Sequence, residues 1–419
     1  MKVWVIRDLE PISIDPGAPR LMRAGILSMK LAEMGHQTVW YTSSFNHYTR
    51  KQRLEGRFSI RDNLTIDVIK SPGYSKNISF RRIYHNFMFA HELQKRFTIA
   101  TELPDIIIAD LPTTESAAAA VKFGLRMDIP TVVTVRDLWP DFFSNFVPSP
   151  MRRLVQFGVY PLERQAAFAC KNTTSLIGIS KMYLKWGQNK GRKNTDLDRI
   201  FPLGYSSIKK TEELNFNSIR EKIGSQLDRR IVSFVGSWGN SYDIRLIYQA
   251  AMALTNRKDV VFVLAGDSSG QPRLERKLRK LSNVILTGWL DQHQVASLLK
   301  RSAIGILPYK SNAPQGLPNK LFEYMAYGAF QISTLGGEAK EVLEETQAGV
   351  SIRPGSVEDL VMEILKWIDY SELEEHRCRR IEVYERRYSR EVIYSAYISH
   401  MEEVIDQFRR GANNSVEEH

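Results

Sequence analysis

The chain has 419 residues, a formal net charge of +11 and 43% hydrophobic residues. These values exclude a disordered or fibrous protein and supply enough apolar side chains for two α/β domains. No run of about 18 apolar residues occurs and the first residues read as a strand rather than a leader, so we expect a cytoplasmic protein.

Short apolar strands alternate with helical stretches in the first half of the chain. This alternation is typical of a parallel sheet whose strands are joined by crossover helices. The predicted strands are Lys2 to Ile6, Thr38 to Thr42, Leu64 to Ile69, Asp105 to Ala109, Thr131 to Val135 and Ser175 to Ile179. We therefore predict one α/β domain over residues 1–205.

A glycine-containing turn, Asp15-Pro16-Gly17-Ala18-Pro19-Arg20, follows the first strand. Parallel sheets bind ligands outside the carboxyl ends of their strands, so Gly17 and Arg20 are candidates to approach a donor phosphate or an acceptor. A plain helix entry with an exposed arginine explains the same residues equally well.

Residues 50–96 hold most of the excess positive charge, with 11 basic and four acidic side chains. The aromatic residues among them are Tyr74, Phe80, Tyr84, Phe87 and Phe89. This mixture predicts a face that meets anionic lipid headgroups or a lipid-diphosphate acceptor. The alternative is a solvated basic face over a core stripe; nucleic acid is not expected, because no nucleic-acid motif is present.

Two charged residues, Arg136 and Asp137, follow the β-branched strand at residues 131–135 and precede Trp139. Buried charges at a strand end need partners or a ligand. A guanidinium cannot act as a general base, so we assign Arg136 to positioning or charge stabilisation and Asp137 to an acceptor hydroxyl. A structural ion pair between Arg136 and Asp137 is the alternative.

A polar segment at residues 187–213 separates the two halves. It contains Asp196-Leu197-Asp198, an Asp-x-Asp that does not follow a strand, and this position argues against a metal-dependent transferase. A second strand series predicts another α/β domain over residues 206–385. Its strands are Ile231 to Val235, Val260 to Ala265, Val284 to Thr287, Ile304 to Leu307, Phe330 to Thr334 and Val350 to Arg353.

Loops after the strands of this second series offer further candidates. Gly236, Ser237 and Gly239 follow its first strand, where glycines admit a phosphate, although a tight turn is the alternative. Asp267 follows the second strand and suits a helix cap. Trp289 is read mainly as core packing, with a base-stacking role as the alternative.

The most informative stretch is Gly316 to Gly328, which joins a Gly-Pro turn to a short helix. Gly316 allows close backbone approach, and the free N–H groups of the helix start favour a phosphate beside Lys320. Glu323, one turn further, would repel a diphosphate, so we expect ribose hydroxyls as its partner. An ordinary crossover helix with a salt-bridged Lys320 is the alternative.

The segment Leu317 to Gly328 resembles the donor-binding helix of family 4 retaining glycosyltransferases, in particular those of bacterial surface-polysaccharide biosynthesis, and Arg136 to Pro140 is similar to a segment of the same members. The resemblance implies the GT-B fold: two Rossmann-like, doubly wound parallel-sheet domains that face each other across a cleft. It also implies that a C-terminal helix at residues 386–411 returns to the N-terminal domain.

The resemblance assigns roles residue by residue. Glu323 holds the ribose of the nucleotide sugar, and Asn319 and Lys320 lie near its diphosphate, with Lys320 and Arg136 stabilising charge during transfer. Gln315 stands where the family has the first glutamate of its Glu-x7-Glu motif, so an amide replaces a carboxylate there. The remaining donor residues are Gly17, Gly236, Ser237, Gly239, Asp267, Gly316 and Leu317. The acceptor residues are Arg20, His47 and Trp139.

The implied activity is retaining, metal-independent transfer of a hexosyl or N-acetylhexosaminyl group from a nucleotide sugar, by family expectation UDP-linked. The acceptor is a lipid-linked glycan or an oligosaccharide of O-antigen, capsule or exopolysaccharide synthesis, met at the inner face of the cytoplasmic membrane, and no cofactor is expected. The rivals are a GT-B-fold sugar-nucleotide epimerase, for which an acceptor face is superfluous, and a noncatalytic sugar-nucleotide or nucleic-acid binding protein.

Overall fold

The computed structural model describes residues 1–17, 19–141, 152–207, 216–313 and 316–417. The chain divides into two compact units. The first unit contains Met1–Leu203 and Tyr394–His419, and the second contains Gly204–Ile393. Residues 208–213 of the polar segment predicted between the two halves lie outside the described residues.

In the described part of the first unit, eight strands form one sheet. They are β1 (Lys2–Ile6), β2 (Gln37–Ser43), β3 (Gly56–Arg61), β4 (Leu64–Ile69), β5 (Ile106–Leu111), β6 (Thr131–Val135), β7 (Ser175–Gly178) and β8 (Arg199–Ile200). Their order is β3-β4-β2-β1-β5-β6-β7-β8, and neighbours are parallel except β3 and β4.

Helices pack on this sheet through apolar faces. They are α1 (Arg23–Glu33), α2 (Phe80–Ile99), α3 (Thr114–Met127), α4 (Arg152–Asn172) and α5 (Lys181–Gln188). The helix α2 begins at the Ser79 cap, whose side chain accepts a hydrogen bond from the Arg82 N–H. It buries Phe89, Leu93 and Phe97 at helical spacing, and the Phe97 ring stacks on Trp4 of β1 with centroids 5.1 Å apart.

The second unit contains a six-stranded sheet in its described residues, and all neighbouring strands are parallel. Its strands are β9 (Arg230–Val235), β10 (Val260–Ala265), β11 (Val284–Gly288), β12 (Ser302–Leu307), β13 (Phe330–Ser333) and β14 (Gly349–Ser351), in the order β11-β10-β9-β12-β13-β14. Its helices are α6 (Phe216–Ile223), α7 (Ile244–Ala253), α8 (Pro272–Leu278), α9 (Gln292–Arg301), α10 (Asn319–Ala326), α11 (Gly337–Thr346), α12 (Val357–Ile368) and α13 (Glu375–Arg387).

The last helix, α14 (Arg390–Glu417), begins four residues later than the helix predicted at 386–411. Most of it belongs to the first unit. Its Tyr397 hydroxyl lies 2.9 Å from Thr134 Oγ1 of β6, and His400 Nε2 lies 3.0 Å from Ser175 Oγ of β7. These contacts anchor the end of the chain to the first sheet.

The predicted fold class is confirmed, because each predicted strand overlaps an observed one. The expectation of a purely parallel first sheet was wrong at β3, which pairs antiparallel with β4 at the sheet edge. This strand alternates exposed and half-buried positions and is rich in polar residues, so it lacks the continuous apolar run of a central parallel strand. Among the described helices, none has the length and apolar composition needed to cross a membrane.

Candidate active site

The start of α10 meets the loop that follows β9. Lys320, in the first turn, donates from Nζ to the Val235 carbonyl oxygen and lies 5.9 Å from the centre of the Tyr242 ring. Gly236 has φ +151°, and a Cβ atom there would lie only 2.7 Å from Lys320 Nζ. Glycine at position 236 therefore leaves the space that the ammonium occupies.

Tyr324 of α10 also contacts the end of β9, and it packs against β12. Its hydroxyl accepts a hydrogen bond of 2.8 Å from the Val235 N–H, and its ring lies against Gly305 of β12, where a Cβ atom would come within 2.2 Å. The end of β9 and the first turns of α10 are therefore held in register by one buried side chain.

The charge of Lys320 lacks a close counterion. Burial lowers the pKa of this lysine, and the nearby Glu323 carboxylate only partly offsets that effect. The ammonium uses one donor on Val235, so further N–H donors remain. An anion next to this group would restore the pKa, which suits a phosphate-binding site.

Glu323 is half-buried, and its charge acts on Lys320 without a direct ion pair. In the part of the chain that the structure describes, its carboxylate accepts no hydrogen bond and forms no ion pair. The Tyr242 and Tyr309 side chains lie near enough for its charge to raise the pKa of both hydroxyls, although burial is the larger cause. A carboxylate with open acceptor positions fits sugar hydroxyls.

The two glycine loops of the second unit pack against each other. A Cβ atom on Gly266 would lie 2.2 Å from the Gly236 carbonyl oxygen, and the Trp238 N–H donates to the Asp267 carbonyl oxygen at 2.8 Å. Ser237 and Gly239 are exposed on the outside of this corner.

Asp267 lies in the neighbouring turn and binds within it. Its carboxylate accepts hydrogen bonds from the N–H and the hydroxyl of Ser269, and these bonds lower its pKa. The side chain is exposed, so it caps its own turn in this structure.

The remaining predicted donor residues flank the start of α10. Gly316 and Leu317 are half-buried and Asn319 is exposed. Gln315, predicted at the first position of the family motif, lies outside the described residues. The interpretation of Trp289 as core packing was wrong, since 73% of this side chain is exposed.

A second candidate site lies wholly within the first unit. It is a cleft of about 320 Å³ at the carboxyl ends of the strands. Its lining residues are Arg7, Leu9, His47, Tyr48, Asn77, Arg82, Pro112, Arg136, Asp137, Ile179 and Leu203. The cleft brings together three residues predicted from the sequence, His47, Arg136 and Asp137. Gly17, Arg20 and Trp139 do not line it.

Arg136 is paired, but not with Asp137. Its Nη1 donates to Glu10 Oε1 and, at 2.7 Å, to Asp110 Oδ2. Burial opposes the charge, yet the two carboxylates outweigh it and raise the pKa of Arg136. The proposed ion pair with Asp137 was therefore wrong, because Asp137 is exposed and accepts a hydrogen bond from the Leu138 N–H. Arg136 remains charged at every accessible pH.

His47 lines the cleft, whereas Trp139 is buried outside its lining. His47 Nδ1 lies 2.6 Å from the Tyr74 hydroxyl, and burial together with the charges of Arg82 and Arg50 lowers its pKa to about 4. The imidazole is therefore neutral near pH 7. Trp139 is buried, with the Arg82 guanidinium 4.7 Å above its ring centre.

Sequence reasoning missed Arg7, Tyr48, Asn77 and Arg82 as lining residues of the cleft. Arg7 carried a usable signal, because it directly follows β1 at the carboxyl end of a parallel strand. Arg82 carried none, since its position depends on how α2 packs.

The Asp-x-Asp of the polar segment is occupied by protein groups. Arg192 Nη2 donates to Asp198 Oδ1 at 2.6 Å, and both side chains are buried. Among the described residues, no group of three or more His, Cys, Asp or Glu side chains has an arrangement that could hold a metal ion.

Residues 229–369 match the family model described as Glycosyl transferases group 1. This part of the chain is similar to that family. The matched range contains β9 to α10 and therefore Gly236, Lys320 and Glu323. The resemblance inferred from the sequence is confirmed for this group 1 glycosyltransferase domain.

Curated relatives share a lower level of identity over longer stretches. The teichuronic acid biosynthesis glycosyltransferase TuaC of Bacillus subtilis (strain 168) is 26% identical over 270 residues, which cover 63% of this chain and 61% of the relative. The α-D-kanosaminyltransferase of Streptomyces kanamyceticus is 26% identical over 161 residues, covering 38% of this chain and 41% of the relative. The chain thus spans about three fifths of the first of these relatives.

Solved structures show the fold over nearly the whole chain. Anabaena HepE in complex with UDP matches with a TM-score of 0.65 and 13% identity, covering 96% of this chain and all of HepE. WaaG, a glycosyltransferase involved in lipopolysaccharide biosynthesis, matches with a TM-score of 0.61 and 15% identity, covering 94% and 98%. The chain therefore has the GT-B fold.

Proposed function

We propose that the protein is a retaining, metal-independent glycosyltransferase that moves a sugar from a nucleotide sugar to an acceptor of surface-polysaccharide biosynthesis. The observation that carries the proposal is the corner between β9 and α10, where Lys320 lies over Gly236 and Glu323 has no protein partner among the described residues. The match of residues 229–369 to the group 1 glycosyltransferase family model supports the same activity.

In this proposal the donor diphosphate lies against the start of α10. Lys320 Nζ and the free N–H groups of the helix start stabilise the negative charge that develops as the diphosphate leaves. The Glu323 carboxylate accepts hydrogen bonds from the ribose hydroxyls, one helical turn away from the charge. The acceptor hydroxyl attacks from the face that the diphosphate leaves, which retains the configuration of the sugar.

We infer that the nucleotide is UDP. One solved structure of HepE, which shares the fold, is a complex with UDP, and another is a complex with UDP-glucose. The acceptor is assigned to the first unit, where the cleft offers His47, Arg136 and Asp137.

A lipid-linked acceptor places the protein at an anionic membrane surface, and one face of α2 supports this part of the proposal. Phe80, Tyr84 and Phe87 recur at helical spacing and are 90%, 56% and 57% exposed. The exposed side chains of Lys76 and Arg81 lie beside them in the sequence. An apolar stripe with adjacent cations is the composition of an interfacial helix.

Calorimetric titration of UDP, GDP and NAD into the wild type tests the donor site, with and without EDTA. We expect UDP alone to bind, unaffected by EDTA, and Glu323→Ala to weaken binding about tenfold because the ribose loses a charged acceptor. Glu221→Ala removes an exposed carboxylate from α6 of the same unit and serves as the matched control.

Adding acceptor membranes and UDP-sugars then separates transfer from epimerisation. Entry of a radiolabelled sugar into the membrane fraction supports the transferase. Formation of a new UDP-sugar epimer without acceptor would instead show that the protein is an epimerase. Failure of a folded protein to bind any of the three nucleotides would overturn the donor site itself.

A further inference from the structure

The cleft of the first unit contains positive charge that the protein does not neutralise. Arg7 and Arg136 both lie beside the buried Glu10 carboxylate. Neither Arg50 nor Arg82 has a carboxylate within ion-pair distance among the described residues. Arg82 lines the cleft, and Arg50 does not line it but binds the lining residue Asn77. Two guanidinium groups therefore have no ion-pair partner here among the described residues, although burial raises the pKa of the Asp137 carboxyl in the lining and the charge of Arg82 partly offsets that rise.

Arg82 is held in place by groups that leave its charge intact. Only 9% of the residue is exposed, and its Nη1 donates to the Asn77 carbonyl oxygen at 2.9 Å. Its guanidinium lies 4.7 Å from the Trp139 ring centre and 5.9 Å from that of Tyr74. Its Nε–H has no hydrogen-bond partner in the part of the chain that the structure describes. Since a buried cation without a partner is unfavourable, this arrangement suits a ligand that supplies the anion.

Arg50 reinforces the same spot. It donates to the Asn77 side-chain oxygen, its guanidinium lies 5.1 Å from the Tyr74 ring centre, and its Nη1 is buried without a partner. Both arginines therefore converge on Asn77 and Tyr74. His47 is hydrogen-bonded to Tyr74, and its pKa is lowered mainly by burial and further by the charges of Arg82 and Arg50. The contribution of the two arginines is the effect of a positive potential at this place.

We propose that this cleft binds the phosphate group of a phosphorylated ligand, with Arg82 as the contact that determines specificity. Two uncompensated cations match a phosphate ester or diphosphate better than a singly charged carboxylate. A guanidinium also presents paired N–H donors that fit phosphate oxygens. The inference rests on the proposed function, in which this phosphate belongs to the acceptor.

Titration calorimetry with inorganic pyrophosphate tests the site, with and without saturating UDP to occupy the second unit. We expect Arg82→Gln to weaken pyrophosphate binding at least about tenfold at low salt, because a charge-assisted contact is lost. Arg82→Lys keeps the charge without the planar fork and should give an intermediate loss. Arg81→Gln removes an equal charge from an exposed position of the same helix and should change little beyond a salt-screened effect.

Asp137→Asn tests the same site in the opposite direction. The carboxylate lines the cleft and repels an anion, so its neutralisation should tighten pyrophosphate binding several-fold, a gain that misfolding cannot produce. Unchanged pyrophosphate affinity in a folded Arg82→Gln variant would overturn the inference, and retained UDP binding in that variant would leave the proposed function standing. If UDP does not bind but pyrophosphate binding depends on Arg82, the proposed function fails and the phosphate site stands.

Farnesyl diphosphate and glucose 1-phosphate identify the source of the phosphate. Tighter binding of farnesyl diphosphate than of pyrophosphate, with the same dependence on Arg82, supports a lipid diphosphate. Preferential binding of glucose 1-phosphate supports a phosphorylated sugar. Equal binding of farnesol and farnesyl diphosphate would overturn the phosphate site.

Discussion

Lys320 and Arg136 show how two cations at strand ends acquire different chemistry from their neighbours. Arg136 is bound by Glu10 and Asp110, so its charge is satisfied inside the protein. Lys320 contacts a carbonyl oxygen and a ring, and it keeps donors for a ligand. The sequence pattern alone does not distinguish these cases, because the partners of Arg136 lie 126 and 26 residues away.

The lowered pKa of Lys320 predicts proton uptake when a nucleoside diphosphate binds. As the pH rises, Lys320 of the free protein loses its proton at a lower pH than an ordinary lysine does. A bound diphosphate raises the pKa of Lys320 again, so the lysine takes up a proton on binding. UDP binding should therefore weaken from pH 7 towards pH 10 and take up an increasing fraction of a proton. Calorimetry in two buffers of different ionisation enthalpy measures this uptake.

Two variants test the assignment of this proton to Lys320. Lys320→Gln should bind UDP weakly and abolish the uptake, whereas Lys340→Gln, which removes an exposed lysine of α11 in the same unit, should retain it. Equal uptake in the wild type and in Lys320→Gln would assign the proton to another group.

At the scale of elements, the proposed donor site depends on how α10 packs against β9 and β12. Tyr324 spans the two strands, since its hydroxyl binds the Val235 N–H and its ring fills the space that Gly305 leaves. Gly236 and Gly266 admit the loops at the strand ends. The predicted role of Gly236 as a position of close approach thus has a physical cause, although the approaching group is a lysine of the same unit.

Gly305→Ala is expected to disrupt the packing of Tyr324 against β12. A methyl group 2.2 Å from the Tyr324 ring forces the ring or the strand to move, which should lower stability by about 1–3 kcal/mol, the usual range for overpacking. UDP affinity should fall with it, because the end of β9 loses its register with α10. Thermal melting and UDP titration measure the two effects.

The control is Gly158→Ala, at an exposed glycine of α4 where a Cβ atom would meet open space. Combining Gly305→Ala with Tyr324→Leu should recover part of the melting temperature, since the smaller side chain relieves the clash. A Gly305→Ala variant with wild-type melting and UDP affinity would show that the corner tolerates displacement.

The central strands were predictable because a strand buried on both faces needs a continuous apolar run, as Ile106 to Leu111 and Val260 to Ala265 show. The edge strands β3 and β8 were not, since one is half polar and the other has two residues. For the sites, the α10 segment carries a local motif, whereas the Arg82 site joins residues from separate loops. Spacing along the chain does not encode such a convergence.

At the scale of the molecule, the excess charge of residues 50–96 divides into two groups. Five of the 11 basic side chains lie beside a carboxylate of Asp15, Glu33, Asp67 or Glu92, namely those of Arg53, Arg57, Arg61, Lys95 and Arg96. The lysines Lys51, Lys70 and Lys76 are exposed and form no ion pair among the described residues, as does Arg81. The sequence therefore overstated the free basic surface. Of the unpaired side chains, Arg81 lies on α2 and Lys76 just before its Ser79 cap, while Arg50 and Arg82, also without ion pairs among the described residues, meet at Asn77.

This distribution predicts binding to anionic vesicles through α2. In a sedimentation assay, the wild type should bind vesicles containing phosphatidylglycerol and should bind neutral phosphatidylcholine vesicles weakly. Phe80→Ser removes a ring that is 90% exposed and should weaken binding several-fold, while Arg81→Gln should weaken it about fivefold, given about 1 kcal/mol per basic residue at such a surface. Added salt should reduce the difference between the wild type and Arg81→Gln, because it screens the charge, but should leave the effect of Phe80→Ser unchanged.

Phe157→Ser, which removes an 82% exposed ring from α4, is the matched control and should bind as the wild type does. Equal losses for Phe80→Ser and Phe157→Ser would mean that vesicles capture any exposed phenylalanine, and the membrane face of α2 would then have to be abandoned.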